Sequence, residues 1–148
     1  MKNLNIGLFG FGNVGRGLYD VLQRIDSSNV HIKRICVRDI EKERGVKAEF
    51  TSSADDIFND KDINLIVEVI DDAEAAYTIV KRALKSRIPV VSGNKKMLAY
   101  HIEELMELQS GISLASNEAR VGNVERVIVD SFTDGVLVCR SQSESPEV

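Results

Sequence analysis

The spacing of apolar positions along the 148 residues changes several times, and each change marks an element. Leu4, Ile6, Leu8 and Phe9 make a short apolar run, as a strand buried on both faces would. From Val14 the spacing becomes three and four, and Val14, Leu18, Val21, Leu22 and Ile25 fall on one helical face. Asp26-Ser27-Ser28-Asn29 closes that helix with turn-forming residues. Residues 30–37 read as a second strand, with Ile32, Ile35, Cys36 and Val37 on its apolar side. Ser53-Ala54-Asp55-Asp56 has the form of a capping box ahead of a short helix through Ile57 and Phe58. Asn59-Asp60-Lys61-Asp62 then makes a turn.

Residues 63–70 are nearly continuous in apolar side chains, which suits a central strand of a parallel sheet. Glu68 interrupts them. A carboxylate there is either at the strand's exposed carboxyl end or paired, and spacing alone leaves both open. Asp72 is placed to cap a helix whose stripe is Ala76, Ile79, Val80, Ala83 and Leu84. A strand over residues 88–92 follows, then a helix from about Ala99 to Gln109 with Ile102, Leu105 and Met106 inward. Gly111 is expected to end it, and residues 112–115 to form a short strand. After Glu118 the pattern weakens: residues 123–132 fit a helix, 135–139 a strand, and 141–148 a disordered tail. This alternation with short connections predicts an α/β fold, a doubly wound parallel sheet of the Rossmann type. It is expected as a single domain over residues 1–140.

Gly10-Phe11-Gly12-Asn13-Val14-Gly15 stands between the first strand and the first helix. Strand, G-x-G-x-x-G and helix, in that order, are the context a dinucleotide site requires. Gly10 permits a sharp turn, Gly12 lets a diphosphate approach bare backbone, and Gly15 lets helix and strand pack closely. The helix start offers N–H groups and the positive end of its dipole to phosphate. About 20 residues on, where an adenosine ribose would lie, stand Arg38 and Asp39. A carboxylate there accepts from a ribose 2′-OH and favours NAD; a guanidinium pairs with a 2′-phosphate and favours NADP. Arg38 comes first, with Lys42 and Arg44 close behind, so NADP is the favoured cofactor and NAD the alternative. Lys47 is read as part of a solvated face with Glu41 and Glu43. Asp71 follows a strand's carboxyl end, where ligands of open α/β sheets bind.

A net charge of −4 argues against nucleic acid as a main partner. No run is apolar enough over a bilayer's width to suggest a membrane span. The two cysteines, Cys36 and Cys139, are far apart, which points to a reducing compartment and hence the cytoplasm. His31 and His101 lack ligand-like spacing and are expected at the surface, so no metal site is expected.

The segments quoted so far, with Val90-Val91-Ser92-Gly93-Asn94-Lys95-Lys96-Met97-Leu98-Ala99 above all, resemble the nucleotide-binding half of homoserine dehydrogenases from about Leu4 to Gly122. That family usually has a small residue, Asn and Lys after this strand, and Asn94 and Lys95 occupy those places. Glu118-Ala119 followed by Val121-Gly122 is similar to a further family feature. The resemblance implies interconversion of homoserine and aspartate semialdehyde by hydride transfer at the nicotinamide, as part of amino-acid biosynthesis. It implies that Asn94 and Lys95 lie beside the nicotinamide, with Lys95 the catalytic candidate. With the residue-based candidates, the expected cofactor site comprises Gly10, Phe11, Gly12, Asn13, Val14, Gly15, Arg38, Ile70, Asp71, Asn94 and Lys95. The chain departs from the family at Asp71-Asp72, where most members have glycines, and from residue 120 to 126. Residues 123–148 leave no room for the family's substrate domain, so a truncated form is expected. Its small amino-acid substrate would then need that domain supplied; a homodimer is a further expectation. A non-catalytic nucleotide-binding or regulatory module and a related small-amino-acid dehydrogenase remain alternatives.

Overall fold

The computed structural model describes residues 3–25 and 29–141. Where the sequence pattern suggests one domain reaching residue 140, the chain forms two compact units, Met1–Ser113 and Leu114–Val148.

The first unit carries a five-stranded sheet in the order β3-β2-β1-β4-β5, every pairing parallel. The strands are β1 (Leu4–Phe9), β2 (Val30–Cys36), β3 (Phe50–Thr51), β4 (Leu65–Glu68) and β5 (Val90–Ser92). Between them run α1 (Asn13–Arg24), α2 (Asp55–Phe58) and α3 (Ala73–Lys85), and α4 (Lys95–Arg120) follows β5. Neighbouring residues of a strand point to opposite faces. Thus Leu8 and Val67 join a cluster with Tyr19 and Ile35, while Phe9 and Ile66 join one with Ile57 and Ala83. Helices therefore cover both faces, and burial on both explains the unbroken apolar runs. A third cluster, Ala76, Val80, Met97 and Leu105, packs α3 against α4. The doubly wound α/β class expected from the alternation is the observed one.

Several local expectations are corrected. The buried face of α1 is Gly15 and Tyr19, with Leu18 and Leu22 packed beside them, while Val14, Val21 and Ile25 are exposed. The contact of Gly15 with the Gly10 carbonyl sets the helix rotation, and its neighbours three, four and seven positions on face the sheet. The capping box does not form. Thr51 Oγ1 donates to the Asp56 carboxylate and accepts from the Ser53 N–H (3.0 Å), leaving Ala54 as the N-cap without a side-chain bond. The central strand starts only at Leu65, because Asn64 Oδ1 accepts from the Asn5 N–H (2.9 Å) and the Ile63 N–H goes to the Asp60 carbonyl (3.1 Å). Strand β3 was not foreseen; two residues carry no period.

Gly111 does not end a helix, and residues 112–115 are not a strand: α4 passes through both. A mid-helix glycine costs only about 1 kcal/mol against alanine, and good helix formers lie within a turn on either side, Glu107, Leu108 and Gln109 before it and Leu114 and Ala115 after it. Leu105 is buried as expected, but Ile102 and Met106 are exposed, and Met97 takes the other core position.

In the second unit, residues 123–132 are not helical. Strands β6 (Val127–Thr133) and β7 (Val136–Ser141) pair antiparallel. Asp134 (φ +53°) and Gly135 (φ +81°) form the two-residue loop, and two positive φ values in succession are what a type I′ hairpin turn demands. Ser141, expected to open a tail, closes β7; residues 142–148 and the turn residues 26–28 lie outside the described residues.

Candidate functional site

The chain leaves β1 to one side and enters β4 on the other, so the strand order reverses beside β1. Ligands of open α/β sheets bind outside the carboxyl ends at such a point. A cleft of about 830 Å³ lies there. Its walls are the glycine loop, the carboxyl end of β2 with Arg38, Asp39, Lys42 and Arg44, and on the far side Val69, Ile70, Asp71 and Asp72.

Gly10 turns the chain with φ +97°, and its N–H is bonded to the Cys36 carbonyl (3.0 Å). A Cβ there would stand 2.9 Å from both the Val69 carbonyl oxygen and Ile70 Cγ2. A Cβ on Gly15 would stand 2.3 Å from the Gly10 carbonyl oxygen. Gly12 differs: its φ is −81°, and a Cβ there would meet nothing within 4 Å. It is the N-cap of α1, without a side-chain cap, and the first turn holds no acidic residue. Asn13 and Val14 complete the turn, exposed on the cleft wall. Phe11 also lines the cleft, and its ring meets Tyr19 and Phe50 edge-on, with ring centroids at 5.7 and 5.3 Å.

Past the carboxyl end of β2, Arg38 and Lys42 are exposed on the cleft rim. Arg44 is committed to its own loop: it donates to the carbonyls of Asp39 (2.5 Å) and Lys42 (2.6 Å), and its guanidinium lies 5.0 Å from the Phe50 ring centre. Burial pushes the Cys36 thiol up from its ordinary value, with the nearby Asp56 charge adding to the effect.

On the other wall, Asp71 is exposed. Asp72 caps α3 as expected, accepting from the N–H groups of Glu74 (3.1 Å) and Ala75 (3.0 Å). Glu68 ends β4 fully buried and paired, accepting from the Ile70 N–H (2.6 Å) and the Ser92 hydroxyl (2.5 Å). Buried Asn94 donates to the Ile70 carbonyl (3.0 Å) and accepts from the Met97 N–H (2.9 Å), so its amide ties the segment after β4 to the first turn of α4. Lys95 follows, exposed at the carboxyl edge of the sheet. Neither Asn94 nor Lys95 lines the cleft, whereas Gly10, Phe11, Gly12, Asn13, Val14, Arg38, Ile70 and Asp71 do. Gly15 lies behind it, under the turn. Sequence reasoning missed Phe50 and Tyr19 as the supports of both loops; the only signal was an aromatic residue in each of two distant segments.

Residues 10–112 match the family model described as homoserine dehydrogenase, NAD binding domain. Similar curated proteins include the homoserine dehydrogenases of Helicobacter pylori and Bacillus subtilis. They are 30% identical over 91% of this chain and 33% identical over 97% of it, and each match spans 33% of the relative. The chain thus spans about a third of the length of these relatives. Among solved structures, homoserine dehydrogenase of S. aureus at pH 8.5 superposes with TM-score 0.67 at 36% identity, over 75% of this chain and 30% of that one. The enzyme from Thiobacillus denitrificans gives 0.67 at 28% identity, over 75% and 28%. The chain therefore belongs to the homoserine dehydrogenase family and represents its NAD-binding domain.

Proposed function

We propose that the cleft holds a nicotinamide dinucleotide with its diphosphate against Gly12 and the start of α1, and that NADP is preferred to NAD. The observation that carries the reading is the contrast among the glycines. The chain's own packing forbids a side chain at Gly10 and Gly15 but not at Gly12. Bare backbone at Gly12 serves something outside the chain, and the open N–H groups of α1 favour an anion. The preference for NADP rests on Arg38 and Lys42 at the rim, since a guanidinium can pair bidentately with a 2′-phosphate. Asp71 and Asp72 on the facing wall add negative charge, which the start of α1 and these two cations offset.

The family membership supports a place in the interconversion of homoserine and aspartate semialdehyde. A bound nicotinamide would supply or accept the hydride. Lys95, at the sheet edge after β5, is the residue proposed to move the hydroxyl proton, because an amine can give or take one at moderate cost. Asn94 would set its position by fixing the first turn of α4.

Calorimetric titration of the chain with NADP and NAD tests the reading. Arg38→Ala is expected to weaken NADP by about 10-fold or more, the worth of a charge-assisted pair, and NAD far less. Equal losses would remove Arg38 from the 2′-phosphate. NADP binding without homoserine oxidation would restrict this chain to holding the nucleotide.

A further inference from the structure

The cations at the ribose end stand on residues 38–47, a segment with neither helix nor strand. Such a loop samples many conformations unless it is tied down. Arg44 ties it. Its two bonds to the Asp39 and Lys42 carbonyls close the segment on itself, one beside Arg38 and the other on Lys42 itself. The ring of Phe50 supports the guanidinium, and Phe11 of the glycine loop packs on that same ring. From α1, Arg16 donates to the Arg44 carbonyl (3.0 Å) and Tyr19 donates to the Lys47 carbonyl (3.0 Å). The diphosphate turn and the rim cations are thereby held in one register.

We propose that Arg44 is a positioning residue that sets the preference for a 2′-phosphorylated cofactor without touching the phosphate. The inference rests on reading the cleft as an NADP site with Arg38 at the 2′-phosphate. Arg44 turns two of its arms to carbonyls of its own loop and leans on an aromatic ring, so it serves as a brace. By ordering Arg38 and Lys42 beforehand it removes an entropy cost that binding would otherwise bear. Lysine is a poor substitute, because its ammonium has neither two separate nitrogens set in a plane to reach the two carbonyls nor a flat face to rest on the Phe50 ring.

The test is a calorimetric comparison of NADP and NAD affinity in the full chain, its Arg38→Ala variant, and the Arg44→Ala and Arg44→Lys variants. Both Arg44 variants are expected to weaken NADP by about 3- to 10-fold while NAD changes by less than about two-fold, as loss of preorganisation at one end of the ligand requires. Equal weakening of the two cofactors, including through failure to fold, would make Arg44 a general structural residue and overturn the proposal. So would unchanged binding. Recovery of wild-type NADP affinity in Arg44→Lys would overturn it in favour of a direct phosphate contact. If Arg38→Ala weakens NADP while the Arg44 variants do not, the reading of the cleft survives and only the brace fails. If the unaltered chain binds neither cofactor, the reading itself fails and this inference goes with it.

Discussion

Gly10, Gly12 and Gly15 share a motif but not a reason, and the difference is measurable. Gly12→Val places its side chain in open space, so it should leave the melting temperature within a few degrees of wild type while abolishing nucleotide binding. Gly15→Ala drives a Cβ into the Gly10 carbonyl and should destabilise the fold by about 1–3 kcal/mol, as overpacking does. Unfolding of the Gly12 variant would show that position to be structural first. The motif was legible because its demands are local: a turn, a bare backbone and a close approach within six residues. The place of Arg38 on the cleft was legible by counting from the glycines. The roles of Arg44 and Phe50 were not, because side chain-to-carbonyl bonds in an irregular loop leave no period in the sequence. Glu68 could be narrowed to two situations, and the structure combines parts of both: it ends its strand, and it is buried and paired.

At the scale of elements, long periodic segments were read well and their ends were not. Helix α3, its Asp72 cap and its apolar stripe were legible because capping and periodicity agree. Helix α1 was found, but its rotation was misjudged. Valine and isoleucine weigh heavily in an apolar pattern, while the true contact residue, Gly15, carries no apolar weight at all. Gly111 looked like a stop, yet it lies in helical backbone with open space around its Cβ position. Gly111→Ala should therefore stabilise the chain by about 0.5–1 kcal/mol, seen as a higher melting temperature. A lower one would mean that α4 breaks there.

Charge also pins elements together. Lys33 on β2 reaches Asp60 and Asp62, both at 2.8 Å. The hydrogen bond from Lys33 holds the Asp60 carboxyl below its ordinary value of 3.8, and bonds to both carboxylates raise the Lys33 ammonium above 10.5. A depressed carboxyl contributes stability that is present above pH 3.8 and lost as pH falls through the lower folded value. A raised ammonium contributes below pH 10.5 and loses that contribution as pH rises through the higher folded value. Lys33→Met should flatten both limbs of the melting temperature against pH, by a small amount because these groups meet solvent. Unchanged limbs would mean that the triad contributes nothing.

For the whole molecule, the parallel sheet followed from the alternation of strand and helix, and its order placed the cleft. The second unit was only half legible. The Asp134-Gly135 pair is a strong hairpin signal, but β6 also reads as a helix over a short window. Its strands leave Ile128, Val129, Phe132, Leu137 and Val138 exposed, since two strands alone form no second layer to bury them. The cleft beside β1 lies wholly within the first unit. Among the described residues no helix is long and apolar enough to cross a membrane. The account turns on whether a dinucleotide sits on the glycine turn. An NMR titration of the folded chain with NADP, following the backbone amides of Gly12, Asn13 and Val14, tests this most directly. Saturable shifts at those amides and at Arg38, stronger with NADP than with NAD, are the expected result. A folded chain whose amides in this turn stay still with either cofactor would contradict it.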